Sequence, residues 1–134
     1  MERLHERLAV AGKAIARFDE ALAIQRPSSL ERDAAIQRFE FTFEALWKAA
    51  RSFLLVREGL DLASPKGVIR ACREIGLLTD GEAVMALTMA DDRNLTVHTY
   101  NEPLAIEIYE RLGSYGPLLR HWLSAMIAVS DLKE

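Results

Sequence analysis

The chain has 134 residues, half of them apolar and 28% charged, with a formal net charge of −3. That balance suits one folded domain over residues 1–134 and excludes a disordered chain. The acidic total argues against nucleic-acid binding driven by overall charge. No apolar run reaches about 18 residues, so no membrane span is expected. The opening MERLHERL is amphipathic and lacks the apolar stretch of a secretion signal. A lone cysteine, Cys72, excludes an internal disulfide and fits a reducing, cytoplasmic setting.

The first predicted helix covers residues 2–24. Leu4, Leu8, Ala11, Ile15, Phe18 and Leu22 recur at steps of three and four, one apolar seam along a helix. Pro27 breaks it, and Ser28 or Ser29 can cap the next. The second helix, 30–57, carries Ile36, Phe39, Phe43, Leu46, Ala50 and Phe53 at the same spacing. Glu40, Glu44 and Lys48 form a polar line beside that seam, and Gly59 is a good terminator. Ser64-Pro65 reads as the N-cap and first position of a short helix ended by Gly76. Val68, Cys72 and Ile75 are expected to face inward, and Lys66, Arg70 and Arg73 form a basic stripe. Thr79 or Asp80 caps the fourth helix, with Val84 and Leu87 on its inner face. Continued, that spacing puts Asp91 and Asn94 on the apolar side, where polar groups need partners. Asn101 caps the last helix, whose seam runs from Ala105 through Ile108, Leu112, Tyr115, Leu119, Trp122 and Met126 to Val129. Pro117 inside it predicts a kink near residues 113–117 rather than a break. The expected fold is all-α: an antiparallel up-and-down four-helix bundle with one additional short helix.

The stretch 91–100, DDRNLTVHTY, gathers two acids, an arginine, an asparagine, a histidine and a tyrosine between two apolar runs. Arg93 and His98 are five residues apart, roughly 140° around a straight helix. They converge on one ligand only if the helix ends between them, or if each works with groups from elsewhere, such as a second subunit. His98 and Tyr100 lie just before a helix N-terminus, an end that favours anions such as phosphate.

Residues 93–100 read R-N-x3-H-x-Y, which resembles the R-x4-H-x-Y signature of HEPN domains of the HepT-like group, long described as nucleotidyltransferase substrate-binding proteins. Residues 39–48 (FEFTFEALWK), Ser64-Pro65-Lys66 with Ile69-Arg70, and Gly76-Leu77-Leu78 are similar to the same group, so the resemblance covers nearly the whole chain. It implies a helical bundle that forms a homodimer, bringing two motifs into one cleft. It also implies a metal-independent ribonuclease toxin, paired with an MNT-type nucleotidyltransferase antitoxin that silences it by attaching AMP to the motif tyrosine. Carried over, Arg93 and His98 are catalytic, Asn94 and Asp92 supporting, and Tyr100 the modified residue. No cofactor is implied.

The residue types suit that chemistry. Metal-free RNA cleavage needs a base for the ribose 2′-OH and an acid for the leaving 5′-oxygen, and histidine can serve as either near neutral pH. A guanidinium supplies fixed positive charge at the phosphorane. The stripe Lys66, Arg70 and Arg73 could grip RNA backbone. Duller roles stand beside these: Asp91 and Asp92 pairing with arginine, the stripe as a solvated face, Glu44 and Lys48 as a helix-surface pair, Cys72 in the core, and His5 and His121 at the surface. No H-x3-H or H-E-x2-H pattern predicts a metal site. There is no Gly-rich phosphate loop and no G-S-x-D/E motif of a nucleotidyltransferase. The rival expectation is a non-enzymatic substrate-binding or regulatory subunit of that nucleotidyltransferase. A pure assembly module would leave residues 91–100 unexplained.

Overall fold

The computed structural model describes residues 2–132. It contains α1 (Glu2–Leu22), α2 (Ser29–Glu58), α3 (Pro65–Glu74), α4 (Asp80–Leu95), a 3-10 turn (Thr96–His98) and α5 (Glu102–Leu132), with no strand among the described residues. The caps fall where side-chain chemistry puts them. Ser28 accepts from the Glu31 amide while Glu31 returns to the Ser28 amide, and Thr79 and Glu82 repeat the arrangement at α4. Gly59 closes α2 in the left-handed region at φ +67°, and Gly76 follows α3 at φ +82°. Asn101 Oδ1 accepts from the Leu104 amide at the start of α5.

Cross-helix bonds give the directions. Thr42 Oγ1 reaches the Ala14 carbonyl and Arg38 the Arg17 carbonyl, so α2 runs antiparallel to α1. Asp92 meets Arg111 while Glu82 meets His121, so α4 runs antiparallel to α5. Arg32 meets Glu102 and Arg57 meets the Val129 carbonyl, so α2 and α5 run parallel. The four long helices thus alternate up and down. Residues 59–64 carry the chain back to the level of Phe43, and α3 packs between α2 and α4. α5 continues unbroken through Pro117.

The seams of α1, α2 and α5 close on one core, with Phe18, Phe39, Phe43, Phe53 and Trp122 essentially inaccessible. The Phe39 ring stacks on Tyr115 at 5.6 Å between centroids. Cys72 is in this core as expected, and burial pushes its thiol up to about 11. Helix α1 stops at Leu22, two residues short of the expected end, and Leu22 is only half-buried.

The inner face of α4 is displaced by one residue from the sequence expectation. Ala83, Ala86, Met89 and Ala90 are buried, whereas Val84 is 65% exposed and Leu87 half-buried. Met89 packs inside with the alanines, which let α4 approach its neighbours closely, while Val84 and Met85 turn outward. The same shift exposes Asp91 and Asn94 and buries Asp92. Ile75, expected inside, is at the surface because α3 ends at Glu74.

One cap carries a pH dependence. Burial raises the Glu82 carboxyl, but the Thr79 backbone N–H, the charge of His121 and their side-chain hydrogen bonds outweigh it and hold it below its ordinary value. His121 Nδ1 lies 2.5 Å from Glu82 Oε2. A lowered carboxylate contributes stability that is present above its unfolded value and lost as pH falls through the folded one. Urea titrations taken through the acid range are expected to show this loss in the native protein. Glu82→Gln is expected to flatten the curve there, and an unchanged acid slope would count against the assignment.

Candidate functional site

Helix α4 does end between Arg93 and His98. Thr96 caps its last turn: Oγ1 donates to the Arg93 carbonyl at 2.7 Å, and the chain tightens into the 3-10 turn. Thr99 Oγ1 in turn donates to the Thr96 carbonyl at 2.9 Å. The arginine therefore leaves a helix and the histidine leaves a tighter turn, and the straight-helix angle between them no longer applies.

Arg93 points toward α2. Its Nη1 lies 3.8 Å from Glu40 and 3.3 Å from Thr96 Oγ1, and its Nε lies 3.5 Å from Glu44. That Nε is buried yet makes no hydrogen bond. Glu44 also accepts from Trp47 Nε1 at 3.2 Å and pairs with Lys48 at 3.8 Å. The polar line on α2 is thus the seat of the motif arginine. The Glu44–Lys48 pairing was legible from spacing; the arginine across from it was not. Beside Arg93, a groove of about 410 Å³ is lined by Phe43 and Glu44, by Ser64, Pro65 and Lys66 at the start of α3, and by Ala90 and Asn94.

His98 and Tyr100 form a second, outward group. Tyr100 is 85% exposed, its hydroxyl lies 3.4 Å from His98 Nδ1, and the rings meet edge to face. No hydrogen bond, ion pair or ring contact joins this group to Arg93 among the described residues.

Asp92, next to Arg93 in the chain, ties α4 to α5. It is 4% exposed and receives Arg111 through two bonds, Nε at 2.7 Å and Nη2 at 2.8 Å. The Tyr115 hydroxyl donates to the same carboxylate at 2.5 Å. Hydrogen bonding to Asp92 raises Arg111 further above its already high range, against desolvation. Burial first, and then the bond to Asp92, push the Tyr115 phenol well above its usual value. The sequence places Tyr115 in the apolar seam of the last helix and does not single out Arg111; no local pattern marks them as partners of a residue 19 and 23 positions earlier.

The basic stripe is partly spoken for. Lys66 Nζ lies 2.6 Å from Asp91 and Arg73 4.0 Å from Asp80, while Arg70 is exposed. Asp91 thus pairs with a lysine rather than an arginine. Among the described residues, no three His, Cys, Asp or Glu side chains group as a metal ion requires. No described helix is long and apolar enough to cross a membrane.

Comparison with known proteins gives the family. The family model described as "Nucleotidyltransferase substrate binding protein like" matches residues 6–128. The chain belongs to that family. This is the group that residues 93–100 resemble. A Thermus thermophilus protein of known crystal structure is 58% identical, with a TM-score of 0.84 over 87% of this chain and 98% of that one. A Haemophilus influenzae structure, reported to reveal the fold of a substrate binding domain of a nucleotidyltransferase, is 22% identical (TM-score 0.76; 89% and 98% covered). A tri-AMPylated Shewanella oneidensis HEPN toxin, solved in complex with its MNT antitoxin, is 15% identical (TM-score 0.77; 93% and 96% covered). At those identities the last two establish the shared fold. No curated protein sequence matches the chain.

Proposed function

We propose that this family member is a metal-independent ribonuclease of a toxin–antitoxin pair, working as a homodimer in the cytoplasm. The observation that carries the reading is the outward pair of His98 and Tyr100, displayed just past the capped end of the helix that carries Arg93. His98 takes the proton of a ribose 2′-OH, and the 2′-oxygen attacks phosphorus. The 5′-oxygen leaves with a proton from His98 of a second copy, giving a 2′,3′-cyclic phosphate and a 5′-OH. Arg93 stabilises the charge that develops on the phosphoryl oxygens. Asn94, on the groove wall, orients the phosphate, and Asp92 positions the helix end.

An MNT-type nucleotidyltransferase is the proposed antitoxin. The Tyr100 oxygen attacks the α-phosphorus of ATP on that partner, pyrophosphate leaves, and the added phosphodiester repels RNA from the cleft. The exposure of Tyr100 supports this role.

The second reading is a non-enzymatic substrate-binding or regulatory subunit of that nucleotidyltransferase. One observation favours it: Glu40 and Glu44 both face Arg93 and offset the charge a phosphate would seek. The deciding assay incubates unmodified protein with total RNA and EDTA, beside His98→Ala. Cleavage by the native protein alone is expected. Intact RNA in both lanes, with Tyr100 free of AMP by mass, selects the second reading.

A further inference from the structure

Helix α1 carries a feature that the residues of the motif leave unused. Arg3, Arg7 and Arg17 each stand one position before a seam residue, at Leu4, Leu8 and Phe18, and Lys13 falls between. This spacing lays four cations along one edge of α1, facing α2. Two adjacent grooves follow that edge, of about 680 and 390 Å³, with Val10 lining both. Arg38 and Lys48 of α2 complete the lining, making six cations against the three carboxylates Glu6, Glu20 and Glu44. The grooves therefore carry a surplus of three positive charges on a chain whose total is −3.

Arg38 and Lys48 have nearby carboxylates, at 3.4 and 3.8 Å. None of the four α1 cations is paired with a carboxylate among the described residues, and the Arg7 Nε is buried without a hydrogen bond. Amid them Phe41 stands 60% exposed on α2, opposite Val10 at 58%. At its far end the lining reaches Glu44, the same side chain that faces Arg93 and lines its groove.

We propose that the α1–α2 face is a track that binds single-stranded RNA and delivers it to Arg93. The proposal rests on the nuclease reading for its substrate class; the surface itself supplies the grip. From Arg3 to Arg17 the track is about 21 Å long, the span of about six stacked nucleotides. Separated cations match a phosphate backbone, and an exposed ring among them offers a stacking platform for any base. An acidic protein surface would match the cations but leaves Phe41 without a role. The α3 stripe is the poorer grip, because Lys66 and Arg73 already face carboxylates.

The test measures fluorescence anisotropy of a labelled, mixed-sequence single-stranded RNA of roughly 12 nucleotides on His98→Ala protein, which holds the RNA uncleaved. Adding Lys13→Glu and Arg17→Glu, both at exposed positions, is expected to weaken binding roughly tenfold or more and to reduce the salt slope by about 1.4. Phe41→Ala is expected to weaken the single strand roughly tenfold and to leave an RNA duplex unaffected. Circular dichroism melts check that the variants fold. Unchanged affinity and salt slope overturn the track. So does unchanged RNA binding combined with lost capture of the cognate nucleotidyltransferase, which assigns the face to a protein. Cleavage by the native chain is scored separately. No cleavage, with binding still sensitive to Lys13, Arg17 and Phe41, removes the nuclease reading and supports the track; cleavage with insensitive binding does the reverse.

Discussion

Asp92→Ala is expected to cost about 3 kcal/mol of folding stability, more than any other polar substitution in the described residues. The carboxylate is nearly inaccessible and accepts three hydrogen bonds. Its removal leaves the buried Tyr115 hydroxyl with no acceptor, which alone costs roughly 1–3 kcal/mol. Arg111 loses a two-point partner, but its side chain is 41% exposed, so water recovers part of that loss. Tyr115→Phe removes one bond and no charge; it leaves Asp92 with both Arg111 bonds, and about 1 kcal/mol is expected. Asp92→Asn falls between, since one amide oxygen remains to accept. Urea unfolding measures all three, with the slope unchanged if the native compactness holds. A loss below about 1 kcal/mol for Asp92→Ala would show that the network does not hold α4 to α5. The prediction bears on function as well as stability: Asp92 precedes Arg93 in the chain, so the bond that ties α4 to α5 also sets where the arginine emerges.

That network marks where the sequence stops being readable. The seams of α1, α2 and α5 are built mostly from large apolar residues at regular spacing, and all but their end residues Leu22 and Val129 are buried as the pattern demands. Helix α4 offers mixed signals. Val84 and Leu87 suggest one face, while Ala83, Ala86, Met89 and Ala90 fill the contact. Hydrophobicity alone does not choose between the two faces; close packing between helices selects the one where three alanines leave room around Met89. The one-residue error in that face is why Asp91 and Asn94 were expected inside and Asp92 was not. The motif at 93–100 was visible because its residues are contiguous. Its supports, Glu40 and Glu44 from α2 and Arg111 and Tyr115 from α5, come from distant segments. Spacing identified the polar line on α2 but could not say what stands opposite, because an ion pair between helices depends on rotation and register that neither helix encodes alone.

Within the nuclease reading, His98→Ala is expected to reduce RNA cleavage by about 10²–10⁴-fold, the range for loss of a positioned acid or base. RNA affinity changes little, since the residue acts on protons rather than on backbone charge. Arg93→Ala is expected to lose a comparable factor, about 10²–10³, through a different cause, and Arg93→Lys separates charge from geometry. Lysine keeps the positive charge facing Glu40 and Glu44 but cannot present a fork to two phosphoryl oxygens. Recovery of most activity by lysine would mean that charge suffices; recovery of little would mean that the paired donors matter. Tyr100→Phe is expected to retain cleavage and to abolish AMP transfer, because the ring stays beside His98 while the acceptor oxygen is gone. Single-turnover rates with unmodified protein, together with mass measurement after incubation with the nucleotidyltransferase and ATP, resolve all four variants. If Tyr100→Phe loses cleavage as fully as His98→Ala, then the hydroxyl 3.4 Å from His98 Nδ1 serves the reaction itself, orienting the imidazole, and AMP on that oxygen silences the enzyme by removing the hydrogen bond as well as by blocking the cleft.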